Sequence, residues 1–410
     1  MLKGADGQAA ALALRLLLQL GKSLGAKRLL PISRVHIDGC LYHGQVSLDF
    51  VLHMRGLGGQ VRVPTTLNVG SLNLLHPHLN RSATLAAMQQ QMTAYTELGC
   101  EATWTCAPYQ LPSRPRLGEQ IAWAESNAIV FANSVLGART NRYGDFTDLC
   151  AALTGFVPEA GLHLERHRRG QVVYDLSSLE PLFQSDVFFA VLGYWIGLDV
   201  GTQIPVLLGL PANTTEDALK AFGAAAASSG SLAMFHAVGL TPEAATLNAA
   251  LQGQAAERTV QLSARVLRLA AEQLSGLRQG MSIQAVSLGT PHYSVLECQT
   301  LLSLLRGRQV HPSVTLFVNT NRFVYRQLET AGWLEPLLSC RVHFILDTCL
   351  YISAILEALE TRVSAIMTSS AKVAHYAPAN LGVSLAFGST HECVESAILG
   401  EVWYDTDLWA

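Results

Sequence analysis

Five short runs in the last third of the chain decide the fold: Ile283-Gln-Ala-Val-Ser-Leu288, Val314-Thr-Leu-Phe-Val318, Val342-His-Phe-Ile-Leu346, Val363-Ser-Ala-Ile-Met367 and Val383-Ser-Leu-Ala-Phe387. Each is rich in apolar, β-branched or aromatic residues, the composition of a strand buried on both faces. Between the first three lie Val295–Leu305 and Arg322–Leu338, whose apolar residues recur at helical spacing. Buried strands alternating with helices predict a parallel sheet covered on both sides, so this third reads as an α/β layer. Upstream the pattern repeats less regularly. Arg28–Val35, Val61–Val63, Glu101–Trp104, Ile204–Leu208 and Leu232–His236 read as strands, and Gly7–Leu24, Ala83–Leu98 and Glu216–Ala227 as helices. No Gly/Ser/Pro-rich linker separates these regions. The expected division is 1–200, 201–280 and 281–410, with discontinuous domains allowed.

In open parallel sheets, ligands bind beyond the carboxyl ends of the strands, so polar residues just after a strand can converge. Many stand there. Val35 leads into His36 and Asp38, Val63 into Thr65, Thr66 and Asn68, Trp104 into Thr105 and Cys106, and Leu288 into Gly289-Thr-Pro-His292. Leu346 leads into Asp347-Thr-Cys349, Met367 into Thr368-Ser-Ser-Ala-Lys372, and Phe387 into Gly388-Ser-Thr-His-Glu-Cys393. The chain has eight cysteines and no Cys-x-x-Cys pair, so a sequence-local zinc ribbon, redox dithiol or simple ferredoxin is unsupported. A metal site would have to be assembled by the fold. Cys106, Cys349 and Cys393 occupy strand-end loops and are the candidate ligands, whereas Cys100, Cys150, Cys298 and Cys340 lie in or beside helices and read as core filler. Cys40, in the Asp38-Gly-Cys-Leu-Tyr42 turn, stays open between the two.

Composition narrows the class. With 410 residues, 50% hydrophobic, only 14% charged and a net charge of −3, the chain can bury a large core without disulfides. A charged fraction below the usual ~25% argues against disorder and suggests that a neighbouring subunit covers part of the surface. The acidic balance gives no footprint for nucleic acid. A membrane span is also unsupported, because the apolar stretch Val187–Leu198 is closed by Asp186 and Asp199 and is too short to cross a bilayer. It reads as a buried core element. The N-terminal Ala10–Leu20 is interrupted by Arg15 and runs on to Lys22, unlike a secretory leader, so a cytoplasmic location is expected. Gly21-Lys-Ser23 lacks the glycine and strand of a phosphate-binding loop, and no G-x-G-x-x-G supports a dinucleotide. The basic cluster Arg166-His-Arg-Arg169 reads as a solvated loop.

The stretches His36-Ile-Asp-Gly-Cys-Leu-Tyr-His-Gly44, Val63-Pro-Thr-Thr-Leu-Asn68, Thr105-Cys-Ala-Pro-Tyr109, Ala122-Trp-Ala-Glu-Ser-Asn-Ala128 and Ala132-Asn-Ser-Val-Leu-Gly-Ala-Arg-Thr-Asn-Arg142 resemble, in this order, the aconitase X family. The likeness continues through Gly289-Thr-Pro-His292, Asp347-Thr-Cys349, Ser370-Ala-Lys-Val-Ala-His-Tyr-Ala-Pro378 and Glu392-Cys-Val-Glu-Ser-Ala397, and only about 170–280 is undistinctive. The resemblance implies an aconitase-like fold of three α/β/α domains with mostly parallel sheets, and a hydro-lyase reaction at an iron centre. It also implies a small swivelling domain that some members carry as a separate subunit. The motifs fill this chain, so the expectation is a large subunit that lacks the small domain and binds it as a partner.

From the resemblance, Cys106, Cys349 and Cys393 are expected to hold the iron, as [2Fe-2S], [4Fe-4S] or mononuclear iron. Glu125 and Asn127 are expected to hydrogen-bond the substrate or the water at the iron, Lys372 to meet a carboxylate, and Ser370 to orient the substrate. His36, Thr65, Thr66, Asn68, Asn141 and His292 are the expected substrate-binding residues. Two small hydroxy acids compete within the family, cis-3-hydroxy-L-proline and (R)-mevalonate 5-phosphate. Val69-Gly-Ser-Leu-Asn73 departs from the Pro-Ala-Gly-Met-Asp of the phosphate-handling branch, which favours hydroxyproline. Asn73 stands where an aspartate is expected, and Asn141-Arg-Tyr-Gly-Asp145 departs from a more glycine-rich pattern. The reading from another class is a non-catalytic scaffold or regulatory subunit; retention of the cysteines, Glu125 and Lys372 argues against it.

Overall fold

The computed structural model describes residues 1–359 and 361–405. The five C-terminal runs form one parallel sheet of strands Ala285–Leu288, Thr315–Asn319, Val342–Ile345, Ala365–Thr368 and Ser384–Phe387. Its spatial order places Ala285–Leu288 in the centre, Val342–Ile345 on one edge and Ser384–Phe387 on the other. Alternation along the strands divides the faces. Val286, Leu288, Leu316, Val318, Phe344, Met367 and Ala386 join one core with the helices Val295–Leu305 and Thr390–Leu399. Ala285, Phe317, Ile366 and Leu385 face a second core, shared with the helix Ala371–Leu381 and with the middle of the chain. The segment expected to be one helix over Arg322–Leu338 breaks into Arg322–Thr330 and Leu334–Ser339 at Gly332, whose φ of 72° suits glycine.

The middle sheet is also parallel, with Val172–Asp175 and Pro205–Leu208 at its centre and His236–Ala237 and Arg258–Gln261 at its edges. Val172–Asp175 pairs in register with Pro205–Leu208, so a boundary at 200 would cut through one sheet. The apolar stretch Val187–Leu198 lies within the helix Asp186–Val200, packed against Glu216–Ser229. These two helices approach closely through glycine: a Cβ on Gly197 would stand 2.7 Å from the Ala226 carbonyl oxygen. Among the described residues no helix is long and apolar enough to cross a membrane.

The N-terminal region holds a three-stranded parallel sheet, Val35–Ile37 between Thr65–Leu67 and Ala122–Trp123, and an antiparallel pair, Leu29–Pro31 with Phe156–Pro158. Of the expected strands, Leu232–His236 is in the sheet only at His236, and two others do not form. The Val61 and Arg62 N–H groups bond to Leu98 O and Ala152 O, at the end of one helix and within another, and Glu101 makes one bridge, to Thr66. The expected solvated loop at Arg166–Arg169 is also corrected. Arg168 is fully buried, bonded to Glu243 and to the Asn133, Ala138 and Leu162 carbonyls, because several carbonyl oxygens there need a multi-pronged donor.

Candidate active site

Register brings the first polar group together. His36 is opposite Thr66 on one side and Trp123 on the other, so two residues further on Asn68, Asp38 and Glu125 follow the three strand ends in a row. The ladder continues into this row, as Asn68 N donates to Ile37 O at 2.8 Å and Ala124 N to His36 O at 3.1 Å. Asn68 Nδ2 donates to Asp38 Oδ1, and Asp148 Oδ2 accepts from the Asp38 and Gly39 amides at 2.8 and 3.1 Å. Burial, with the carboxylates Glu125, Asp145 and Asp148 nearby, pushes Asp38 up to about 8. Burial likewise raises Asp148 to about 7.

Glu125 is the N-cap of the short helix Ser126–Phe131 and accepts from Ala128 N at 2.7 Å. Its other oxygen accepts from Lys372 Nζ at 2.6 Å, and both side chains are buried. Asn127 donates to Glu125 and, at 2.8 Å, to Cys106 O, while accepting from the Tyr109 hydroxyl at 2.6 Å. Lys372 stands in the first turn of Ala371–Leu381, capped by Ser370, whose hydroxyl donates to Thr290 O. Burial opposes the Lys372 charge, but the Glu125 carboxylate more than offsets it and holds the ammonium well above its ordinary range. A cavity of about 420 Å³ is lined by Gly289, Thr290, Ser370 and Lys372 together with Asp217 and Lys220 of the middle region.

Beside Asn127 stands a second group. Donor atoms of Cys106, His292 and Cys349 lie within 4.8 Å of one another, all three residues buried. His292 Nδ1 is 3.0 Å from Thr105 Oγ1, which leaves Nε2 on the Cys349 side, 3.9 Å from Sγ. Burial lowers this imidazole to about 3, so it is neutral. The adjoining Cys106 thiol and burial raise Cys349 well above the ordinary thiol range. Two thiols and an imidazole are a donor set suited to zinc or iron. Trp104 and Asp347, each two residues before a cysteine, have φ of 44° and 71°, uncommon for residues with a Cβ. Gly70 N donates to Asp347 O at 2.7 Å, and Arg322 holds the Asp347 carboxylate at 2.6 and 2.7 Å.

Cys393 does not join this group, contrary to expectation. Cys349 and Cys393 follow the two opposite edge strands of the C-terminal sheet. Cys393 lies inside the helix Thr390–Leu399, in the apolar core below the sheet. His292, expected to bind substrate, stands with Cys106 and Cys349 instead. The Cys40 sulfur faces the Ile37 and Asn68 carbonyls in the N-terminal core and reads as filler.

The other expected substrate residues divide. Thr66 shares a face with His36, Oγ1 to Nδ1 at 2.8 Å, and burial lowers His36 to about 3. Thr65 points the other way, and its hydroxyl donates to Val63 O at 2.8 Å. The Asn141 amide is committed to a backbone turn, donating to Ala160 O at 3.0 Å and accepting from Leu162 N at 2.7 Å. Asn73 similarly braces its own loop through His76 N and Asn80. Sequence reasoning missed Tyr109, Arg322 and the buried Lys220, which bridges Glu297 and Asp217. The signal available for Arg322 and Lys220 was only their position in the first or second turn of a helix after a strand.

Comparison with known proteins places this site in a family. Models described as the aconitase X first, second and third domains match residues 1–166, 170–272 and 283–399. The chain is 42% identical over 410 residues to a cis-3-hydroxy-L-proline dehydratase of Hypocrea jecorina, spanning 99% of this chain and 68% of that protein. It is 42% identical to the enzyme of that name from Pseudomonas aeruginosa, spanning 98% and 69%. A phosphomevalonate dehydratase large subunit from Thermococcus kodakarensis is 32% identical, spanning 92% of each chain. The crystal structure of Thermococcus kodakaraensis aconitase X in its holo-form superposes with a TM-score of 0.85 at 30% identity, covering 97% of both chains. Matched from end to end in sequence and in fold, the chain belongs to the aconitase X family.

Proposed function

We propose that this chain is the large catalytic part of a hydro-lyase that converts cis-3-hydroxy-L-proline to Δ1-pyrroline-2-carboxylate, with iron held at Cys106, His292 and Cys349. The observation that carries the reading is the buried thiol–imidazole group standing against the Asn127–Glu125–Lys372 network. Bound there, iron supplies a Lewis acid that eases the departure of hydroxide. Lys372, with an N–H beyond those given to Glu125 and the Ser126 hydroxyl, binds the substrate carboxylate. Asn127 and Glu125 keep that ammonium and the Cys106 backbone in fixed relation, and Ser370 orients the ring. Identity supports the substrate: 42% to two hydroxyproline dehydratases against 32% to a phosphomevalonate dehydratase large subunit. The loop carrying Val69-Gly-Ser-Leu-Asn73 is also the one whose Val69 packs on Cys106 and Cys349, so its departure from the phosphate-handling pattern falls at the site.

The partner belongs to the same proposal. The chain spans 92% of a relative named as a large subunit but 68% and 69% of the two hydroxyproline dehydratases. We include in the proposal a small swivelling subunit that closes the site, a reading supported by the relative named as a large subunit. The test is co-expression with the candidate small subunit, iron loading, and assay with both acids by NMR. Δ1-pyrroline-2-carboxylate from hydroxyproline is the expected product. Turnover of mevalonate 5-phosphate alone overturns the substrate, and no turnover of either acid by an iron-loaded complex favours a scaffold.

A further inference from the structure

Resting on the dehydratase reading above, we propose that Asp38 is the base that takes the α-proton of the substrate. In the row Asn68–Asp38–Glu125, both Glu125 oxygens are committed, one to Lys372 and the other to Ala128 N and Asn127. Asp38 has no cation partner among the described residues. Its Oδ1 accepts from Asn68, and its backbone is pinned by Asp148, which fixes the carboxylate without neutralising it. Asp38 also keeps part of its surface open, whereas Glu125 is closed off. The row stands beside the metal donors, because Val69, next to Asn68, packs on Cys106 and Cys349. Asn68 Oδ1 is buried without a partner among the described residues, an acceptor left for the ring N–H of a bound imino acid. Burial and the facing acids Glu125, Asp145 and Asp148 make Asp38 more basic than an ordinary aspartate, and Cys40 faces it as a neutral thiol.

The step balances. Asp38 takes the C2 proton, and the C2–H pair becomes the C2=C3 bond. The C3–O bond breaks with its pair on oxygen, and the hydroxide takes up a proton from solvent as it leaves. Asp38 then releases the α-proton, so the net loss is one water, and the enamine tautomerises to the imine.

The experiment uses the iron-loaded complex with its small subunit. Asp38→Asn, with unchanged circular dichroism and iron content, is expected to lower kcat by about 100-fold or more with little change in KM. It should also lose the limb of the wild-type pH profile that rises towards pH 8, because the base must be unprotonated. Asp38→Glu is expected to recover a measurable part of the activity. Deuteration at C2 should slow wild-type turnover, and solvent deuterium exchange at C2 should vanish in Asp38→Asn. If Asp38→Asn keeps a tenth or more of wild-type kcat, the base is elsewhere and the substrate reading stands. If the wild type turns over only mevalonate 5-phosphate and Asp38→Asn abolishes that, the substrate reading falls and the base stands. Inactivity of the wild type on both acids overturns both.

Discussion

Lys372 Nζ and Glu125 Oε1 lie 2.6 Å apart although 247 residues separate them, and the contact joins the C-terminal and N-terminal sheets in a buried setting. A pair of this kind is costly to split, because the surviving charge is left without water. Lys372→Met is therefore expected to cost about 3–5 kcal/mol, and Glu125→Gln with Lys372→Met together much less than the sum. Urea midpoints of the wild type, both single variants and the double variant measure the coupling. Additive single effects would mean that the two groups are separately solvated.

The donor set at the strand ends makes a second prediction. Cys106→Ser, Cys349→Ser and His292→Ala should each lose most of the bound iron and its visible absorption, whereas Cys393→Ala should keep both. Cys393 fills the core beneath the sheet, so its loss should show as about 1–2 kcal/mol of stability. Metal analysis of the four variants after identical reconstitution decides the matter. An iron-free Cys393→Ala protein that remains folded would restore the three-cysteine expectation.

The third prediction concerns pH. Asp38 and Asp148, raised by burial to about 8 and about 7, bind protons in the folded state that an unfolded chain releases near pH 4. Their stabilising share is full below pH 4 and is lost as pH rises through 7 and 8. Asp38→Asn should therefore be more stable than the wild type at pH 8, on the order of 1–3 kcal/mol, and indistinguishable from it near pH 4. Denaturation of both proteins across this range is the check. A base held at the expense of stability would show this trade.

Much of the architecture was legible along the chain, because continuous apolar runs and helical spacing are local properties. All five C-terminal runs became strands, and Val295–Leu305 became a helix with the expected bounds. The rule that polar residues gather after parallel strands also named many of the residues that come together at the candidate site, since strand ends are read one strand at a time. Val61–Val63 failed because its N–H groups bond to helix carbonyls far away in sequence, and Glu101–Trp104 because its pairing with Thr65–Leu67 is reduced to one bridge where the Thr103 hydroxyl takes the Leu67 N–H, which no run of β-branched residues reveals.

What the sequence by itself determined is therefore the inventory: three regions of parallel strands, polar loops at their ends, and the cysteines and carboxylates that could meet. Only the tertiary structure decided which of them do meet, because strand order is set by packing and not by succession along the chain. With Ala285–Leu288 in the centre of its sheet and Ser384–Phe387 on the edge opposite Val342–Ile345, His292 joins Cys106 and Cys349, and Cys393 is left in the core. The same register, applied to the N-terminal sheet, aligns Asn68, Asp38 and Glu125 and leaves Asp38 as the carboxylate of that row with no cation beside it among the described residues.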